Sequence, residues 1–447
     1  MTPLFTREEI ESGRRTFHRF MGFNVLAFSI LTGNVISVFA LKLGVSNAYI
    51  GLLQSFMHLS MVFILAGRLL MQSMRSVTVF AFGWFARYFF AALLLAIPLV
   101  VGRPDGTAIA TVIVLVAAAG FHIFRGIGVA GQVAIVAGLA SGADRGRFLS
   151  VNSILSNGIA LAGGLAIASL LGADAPVGRF TAAFSFAIFF GLLSVVQIRR
   201  LPEPNVTERA DFASFLADVR SVVHDEPVKR FLVYLCSFAF GSSILIAFLV
   251  VLSKRVYGLP DNFTVLLVAI GNLGAIVAGV LNRRLIDTSG GRPLIVFFVA
   301  TMLVVSLAMA GAAGTTRAQG VVMAAGFFLA MAAMNGLLVS SQSYYFGLYG
   351  EQKHRNLGLL FSLVMGSFGA VGSYAGGVVL DALEARMELA LAFRWLFIAI
   401  AAIGVLTLVL SLRLVPNRAR PRRRVREFIS LRARRFWNRL SARVRRR

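Results

Sequence analysis

The chain has 447 residues, of which 58% are hydrophobic and only 14% are charged. A soluble domain carries about 25% charged residues, so this composition excludes an ordinary soluble enzyme. The single cysteine, Cys236, excludes internal disulfides and thiolate metal clusters. The net charge is +25, and residues 413–447 alone hold 15 arginines and one glutamate. Because the basicity is mostly a property of this tail, a nucleic-acid partner is not expected.

The first 19 residues are polar and of mixed charge, and long apolar runs separated by short polar loops follow them. About 20 apolar residues cross a bilayer as a helix, whereas the strands of a membrane barrel would show short alternating patterns. The sequence therefore predicts an all-α integral membrane protein with twelve transmembrane helices. The predicted spans are residues 20–42, 49–71, 77–101, 108–138, 148–172, 178–198, 230–253, 262–285, 293–314, 320–343, 357–381 and 390–412.

A hydrophilic stretch divides these spans into two sets of six. It contains two prolines and then a short helical pattern, so we expect a linker with a surface helix rather than a separate domain. The predicted organisation is an N-terminal segment 1–19, a first six-helix bundle 20–198, a linker 199–229, a second six-helix bundle 230–412 and an arginine-rich tail 413–447.

The distribution of basic residues predicts the orientation in the membrane. If the N-terminus is cytoplasmic, 34 of the 44 Lys and Arg fall in cytoplasmic segments and their adjoining helix ends. Positive charge accumulates on the cytoplasmic side of membrane proteins, and the opposite orientation would place the surplus outside. We therefore expect both termini in the cytoplasm and the protein in a bacterial-type cytoplasmic (inner) membrane.

The loop after the eighth span, LIDTSGGRPL, contains Asp287, Gly290 and Arg292. The loop after the second span, GRLLMQSMRS, has Arg75 at the corresponding position but no acid. This pattern resembles the loop signature of the major facilitator superfamily. In that signature an acid at a helix end pairs with basic residues at the cytoplasmic seam. The resemblance thus implies a gating role for Asp287, Gly290, Arg292 and Arg75, with a latch that is asymmetric between the two halves.

The resemblance extends into the fourth and fifth spans. Arg125 is followed by Gly126 and Gly128, as in the family's arginine–glycine motif. The run GIALAGG in the fifth span is similar to the glycine motif of the family's antiporters but lacks its proline. The resemblance implies two six-helix bundles that face each other across a central cavity. It also implies alternating access, with the first, fourth, seventh and tenth helices lining that cavity.

Few ionisable side chains lie inside the predicted spans. None of the 19 Asp and Glu is near a span midpoint, so His58 and His122 are the remaining candidates for coupling to protons. The alternative for each is a hydrogen-bonded histidine of the core. On a helix, His122, Arg125 and Gln132 share one face. A permanent positive charge without an acid favours an anionic or carbonyl-rich ligand, and the alternative is a bond from Arg125 to a neighbouring span. We expect Arg87, in the third span, to pack or to snorkel.

Uncharged polar residues complete the candidate cavity: Asn34 in the first span, and Asn335 with Gln342 in the tenth. Buried amides need partners, and bonds between helices are the alternative to ligand binding. The sequence has no phosphate-binding Gly–Lys loop and no metal-spaced His or Cys cluster. We therefore expect no cofactor, no metal, no ATP-driven transport and no enzymatic activity.

The sequence thus predicts secondary-active transport of a small, anionic or polar organic solute by rocker-switch alternating access. The alternative is a non-transporting protein of the same fold that acts as an assembly factor or sensor, which the degraded first-half loop favours. The tail intersperses apolar residues among its arginines. It is predicted to form an amphipathic helix on anionic lipids, with a solvated tail as the alternative.

Overall fold

The computed structural model describes residues 5–32, 34–140, 145–204, 212–314, 319–348 and 354–416. All regular structure in these ranges is helical, which confirms the predicted all-α class. A helix satisfies its backbone hydrogen bonds internally, as a segment in lipid must. Most of the arginine-rich tail, and with it the predicted lipid-binding helix, lies outside the described residues.

The first half of the chain follows the predicted spans, but two of them consist of two helices. The first span corresponds to α1 and α2, and the second to α3 and α4. The third is α5 with a 3-10 extension at Ala92–Leu99. The helices are α1 (Arg7–Leu31), α2 (Asn34–Lys42), α3 (Asn47–Leu59), α4 (Ile64–Leu70), α5 (Ser76–Ala91), α6 (Gly106–Leu139), α7 (Arg145–Leu171) and α8 (Val177–Ile198).

The linker contains the expected short helix, and six long helices follow it. They are α9 (Phe212–Val223) in the linker, then α10 (Glu226–Arg255), α11 (Asp261–Ser289), α12 (Gly291–Ala312), α13 (Gln319–Phe346), α14 (His354–Glu384) and α15 (Leu389–Leu412). Within the described residues, ten helical segments are long and apolar enough to cross a membrane, and the bent pair of α3 and α4 is an eleventh. The apolar part of α7 is the shorter stretch Leu155–Leu171. The count of twelve spans and the cytoplasmic termini therefore stay predictions.

Helix ends follow local sequence signals. Thr6 caps α1 through a capping box, in which its hydroxyl accepts from the Glu9 N–H at 3.3 Å and Glu9 accepts from the Thr6 N–H at 2.7 Å. The Glu203 carboxylate accepts from the Ser76 N–H at 2.6 Å and so caps α5. Gly290 separates α11 from α12 with a φ of +78°, a conformation that other residues rarely adopt.

The helices of each half pack mainly on one another. In the first half α1 contacts α7 and α8, and α5 contacts α6. In the second half α10 contacts α14, and α13 contacts α11 and α12. The most extensive contacts between the halves are those of α3 with α14 and of α7 with α11. The first pair crosses closely, because a Cβ on Gly51 would overlap the Ser373 carbonyl oxygen and one on Gly377 would overlap that of Asn47. The result is two helical bundles with a shared seam.

Candidate substrate site and gates

The second predicted span is broken near its middle. α3 ends at Leu59, α4 begins at Ile64, and the two helices are bent by 40°. α6 approaches this break closely, because a Cβ on Gly126 would overlap the carbonyl oxygen of Ser60. On the other side of the break, Gly67 of α4 lies equally close to the backbone of α6. Broken helices open backbone groups at membrane depth, which transporters tolerate where the break lines a cavity.

Arg125 of α6 lies at this break. Its Nη1 donates to the Ser60 hydroxyl at 3.0 Å, and that hydroxyl donates to the Met57 carbonyl at 2.7 Å. The guanidinium carbon lies 4.9 Å from the centre of the Phe28 ring on α1. A guanidinium has five N–H donors, so this bond leaves most of the fork for a ligand. Among the described residues, no ion pair joins Arg125 to a carboxylate.

Two histidines lie beside Arg125. His122, one turn earlier on α6, is 5% exposed, and its Nδ1 has no hydrogen-bond partner. His58, in the last turn of α3, packs its ring on Gly369 of α14. His122 lies within electrostatic range of both Arg125 and His58. The fold therefore brings three of the predicted site residues together where α3, α6 and α14 meet.

The other predicted ligands are more widely spread. Gln132 is half-buried, about two turns further along α6. Asn335 donates from Nδ2 to the Ala275 carbonyl at 2.7 Å, which bonds α13 to α11. Gln342 is exposed. Asn34 begins α2, but its side chain lies outside the described part of the structure.

Arg87 is 0% exposed, at the centre of the first bundle. Its Nη2 donates to Asn24 Oδ1 at 2.5 Å and to the Tyr88 hydroxyl. The guanidinium carbon lies 4.3 Å from the ring centre of Trp84, 4.4 Å from that of Tyr88 and 4.8 Å from that of Phe121. The expectation of packing is thus met, whereas snorkelling is wrong, because the bonds to α1 and the rings hold the side chain inside the bundle.

The predicted gating residues do not form one contact among the described side chains. Arg292 donates from Nη2 to the Leu412 carbonyl at 2.6 Å, where a cation complements the last turn of α15. Arg75 is exposed just before α5, and Gly290 provides the turn between α11 and α12. The side chain of Asp287 lies outside the described part of the structure. The cytoplasmic latch therefore stays a prediction.

Sequence reasoning missed a polar cluster at the end of the bundles that the predicted topology places outside. Asp381, near the end of α14, accepts from the N–H groups of Asn47 at 3.1 Å and Ala48 at 2.8 Å. Arg255 Nη1 lies 2.8 Å from Glu384 and donates to Asn47 Oδ1 at 2.9 Å. We call these residues the Asn47 cluster. A carboxylate of the second half thus caps the first turn of a helix in the first half.

A second group at the same end, the Asp261 cluster, joins α2 and the loop after α7 to α10 and α11. Asp261 accepts from the Ala175 N–H at 3.0 Å and from Lys254 Nζ at 2.5 Å. Lys42 Nζ lies 3.8 Å from Asp261 and also bonds Asp174. The hydrogen bond from Lys42 lowers the pKa of the Asp174 carboxyl below its usual value. This contact is complete at neutral pH and weakens as the pH falls through the lowered pKa.

The linker helix α9 lies at the opposite end of the bundles. Its Phe215 is 7% exposed and packs with Ile64 of α4, Ala130 of α6 and Leu359 of α14. The neighbouring Leu216 is 57% exposed. An apolar contact therefore bridges the two halves near the linker, whereas polar clusters bridge them at the far end.

The chain also matches a known family by sequence. A sequence model of the Major Facilitator Superfamily matches residues 20–350. The chain belongs to the major facilitator superfamily. Membership makes it a multi-pass membrane transporter rather than an enzyme. No curated protein matches the chain in a direct sequence search.

Solved transporters have the same major facilitator fold. A structure of the nucleoside transporter NupG aligns with a TM-score of 0.72 at 12% identity, covering 90% of this chain and 100% of that one. The D-xylose–proton symporter aligns at 0.68 and 16% identity, covering 90% and 98%. A bacterial homologue of the human lysosomal transporter Spinster, in an inward-facing and unoccupied conformation, aligns at 0.66 and 13% identity, covering 93% and 100%. Identities this low establish a shared fold alone.

Proposed function

We propose that this chain is a secondary-active transporter that moves a small anionic or polar organic solute across the cytoplasmic membrane. The mechanism is rocker-switch alternating access, in which two bundles open in turn to each side of the membrane around a site at mid-depth. Arg125 is the principal ligand of the solute, and His122 and His58 complete the site.

The position of Arg125 supports this proposal most strongly. A charge inside a membrane is costly unless water, polar groups or a bound ion compensate it. Here one hydroxyl and one aromatic ring contact the guanidinium, and the described residues supply no carboxylate. A carboxylate, phosphate or carbonyl group of a solute fits the planar fork and removes this cost.

The contacts between the halves supply the two gates. Opening at the predicted outer end breaks the Asn47 and Asp261 clusters, because each contains residues of both halves. Opening at the linker end separates Phe215 from Ile64 or from Leu359. Alternating access requires that only one of these sets is broken at a time.

Protons are the coupling ion that the site chemistry favours. No acid lies near a predicted span midpoint, whereas His122 has an unpartnered Nδ1 beside Arg125. Protonation of His122 next to a cation is unfavourable unless an anion is bound, so anion and proton are expected to bind together. One of the transporters with this fold is by name a proton symporter.

Uptake into proteoliposomes tests the proposed function, with a library of small organic anions as solutes. Arg125→Gln should stay folded and monodisperse but lose transport. Arg394, an exposed arginine on α15, supplies the matched control Arg394→Gln, which should transport normally. If Arg125→Gln aggregates, the residue is structural. If the wild type carries no solute, the non-transporting alternative gains support.

A further inference from the structure

The first bundle contains a buried charge that the transport site does not use. Arg87 is fully buried, and its Nε and Nη1 have no hydrogen-bond partner. No ion pair joins it to a carboxylate among the described residues. A guanidinium does not lose its proton in proteins, and burial of a charge is costly unless the charge is paired and hydrogen-bonded.

Aromatic rings compensate this charge only in part. Trp84, Tyr88 and Phe121 each lie within 4.8 Å of the guanidinium carbon and attract it through their negative faces. They offer no lone pair to the two open N–H groups in the way that an anion would. The positive charge therefore lacks a full counter-charge.

The surroundings restrict the size of a ligand. Four helices build the cage around Arg87, because Asn24 comes from α1, Phe121 from α6, and the Tyr88 ring fits against Gly191 of α8. The rings are bulky and closely packed, so a ligand beside the guanidinium has to be compact. His122 adds a second unpartnered buried nitrogen within electrostatic range of Arg87.

Arg87 and Arg125 contact different members of one ring pair. Phe121 and Phe28 are stacked with their centres 6.3 Å apart, and Arg87 lies on Phe121 whereas Arg125 lies on Phe28. The solute contact and the buried cage are therefore separate positions.

We propose that Arg87 binds a small inorganic anion of the halide class inside the first bundle. The anion accepts hydrogen bonds from Nε and Nη1 and supplies the counter-charge that the chain lacks. The anion occupies a different position from the transported solute, and it stabilises the folded bundle whether or not transport occurs.

Thermal unfolding of the full-length protein in detergent tests the proposal, with chloride replacing gluconate at constant ionic strength. A ligand that binds only the folded state raises its midpoint, so a roughly hundredfold increase in chloride should raise that of the wild type by a few degrees. Arg394→Gln, the matched control on the surface of α15, should respond in the same way, and Arg87→Gln should not respond.

Three results would overturn the inorganic-anion site. The first is a wild type whose unfolding midpoint does not change with chloride, and the second is an Arg87→Gln variant whose midpoint still rises. The third is stabilisation by acetate but not by chloride, which would mean that Arg87 binds the carboxylate of a solute. If Arg87→Gln does not fold, anomalous diffraction from bromide-soaked crystals of the wild type tests the site instead. An anomalous peak beside Arg87 supports the site, and its absence contradicts it.

Discussion

At Arg125 the shape of the cation matters as much as its charge. The fork donates to Ser60 and its central carbon lies over the Phe28 ring, and the donors that remain suit a planar acceptor with two oxygens. Lysine would keep the positive charge at the same depth but would lose both the stacking and the second parallel donor. Charge and geometry can therefore be separated by one substitution.

We expect Arg125→Lys to lower kcat/KM for the transported anion at least about tenfold, which corresponds to a loss of about 1.4 kcal/mol. The measurement is initial uptake into proteoliposomes over a range of solute concentrations. Arg394→Lys on α15 is the matched control and should leave uptake unchanged. Normal uptake by Arg125→Lys would mean that a point charge suffices and that the fork makes no essential contact.

Sequence spacing predicted part of this site and missed the rest for a definite reason. His122 and Arg125 are three residues apart, so helix geometry alone places them on one face. Ser60 is 65 residues from Arg125, and Asn47 is 334 residues from Asp381. Contacts over such separations depend on how bundles pack, which no local pattern encodes. The available signal was the presence of both acids and bases at the predicted outer helix ends, such as Asp381 and Lys254.

At the scale of helices, α3 depends on the other half for its first turn. The leading N–H groups of a helix have no partner within it, and here the Asp381 carboxylate satisfies two of them. Loss of a helix cap costs typically about 1 kcal/mol. Separation of the halves at this end therefore also removes a cap from α3, which favours the closed arrangement.

We expect Asp381→Ala to raise the open fraction at this end about fivefold, the equivalent of one lost cap. A cysteine at Ser373, buried where α14 crosses α3, reports opening through its reaction with an impermeant thiol reagent. All proteins in this experiment carry Cys236→Ser, so that the reagent reacts with the introduced cysteine. Glu388→Ala, an exposed acid at the same end, is the control and should leave labelling slow. Equal rates in both variants would exclude a role for the cap.

α3 and α14 cross closely because glycines at the crossing have no side chain. A Cβ on Gly51 would overlap the Ser373 carbonyl oxygen, so Gly51→Ala should push the two helices apart. Overpacking of this kind costs roughly 1–3 kcal/mol. The thermal unfolding midpoint should fall for Gly51→Ala and stay unchanged for Gly158→Ala on α7, where nothing lies within 4 Å of the added carbon. An unchanged midpoint for both would show that the crossing adapts.

The break between α3 and α4 was not predictable from the apolar pattern. Residues 49–71 form one continuous apolar run without a proline, so the sequence predicts one straight span. The close approach of Gly126 and the bond from Arg125 both occur at Ser60. Helix kinks have local causes, and here the contacts at the kink come from a neighbouring helix, α6.

For the molecule as a whole, the orientation in the membrane is a prediction that reporter fusions can test. Reporter fusions at residue 105 and residue 210 should report the outside and the cytoplasm respectively, because the basic loops accumulate on the side of residue 210. The same answer from both fusions would contradict the twelve-span topology. A reversed pair would place the Asn47 and Asp261 clusters in the cytoplasm.

The arginine-rich tail should be separable from the transporter. Removal of residues 418–447 touches no predicted span, so insertion and folding should persist. The isolated tail peptide should bind anionic vesicles, and its binding should weaken as salt rises, because salt screens its charges. Binding that ignores salt, or no binding at all, would contradict a surface helix held by anionic lipids.

The broken second span is held by both halves of the protein. α3 is tied to α14 through Gly51 and the Asn47 cluster, whereas α4 lies against α6 at Gly67. When the outer end opens, α3 must part from α14 while α4 stays against α6, so the motion acts on this span at its break rather than on a loop. Ser60 is then a hinge, and Arg125 holds it. A solute that accepts the hydrogen bond of Arg125 would break its contact with Ser60 and free the hinge. Solute binding would then itself permit the rotation.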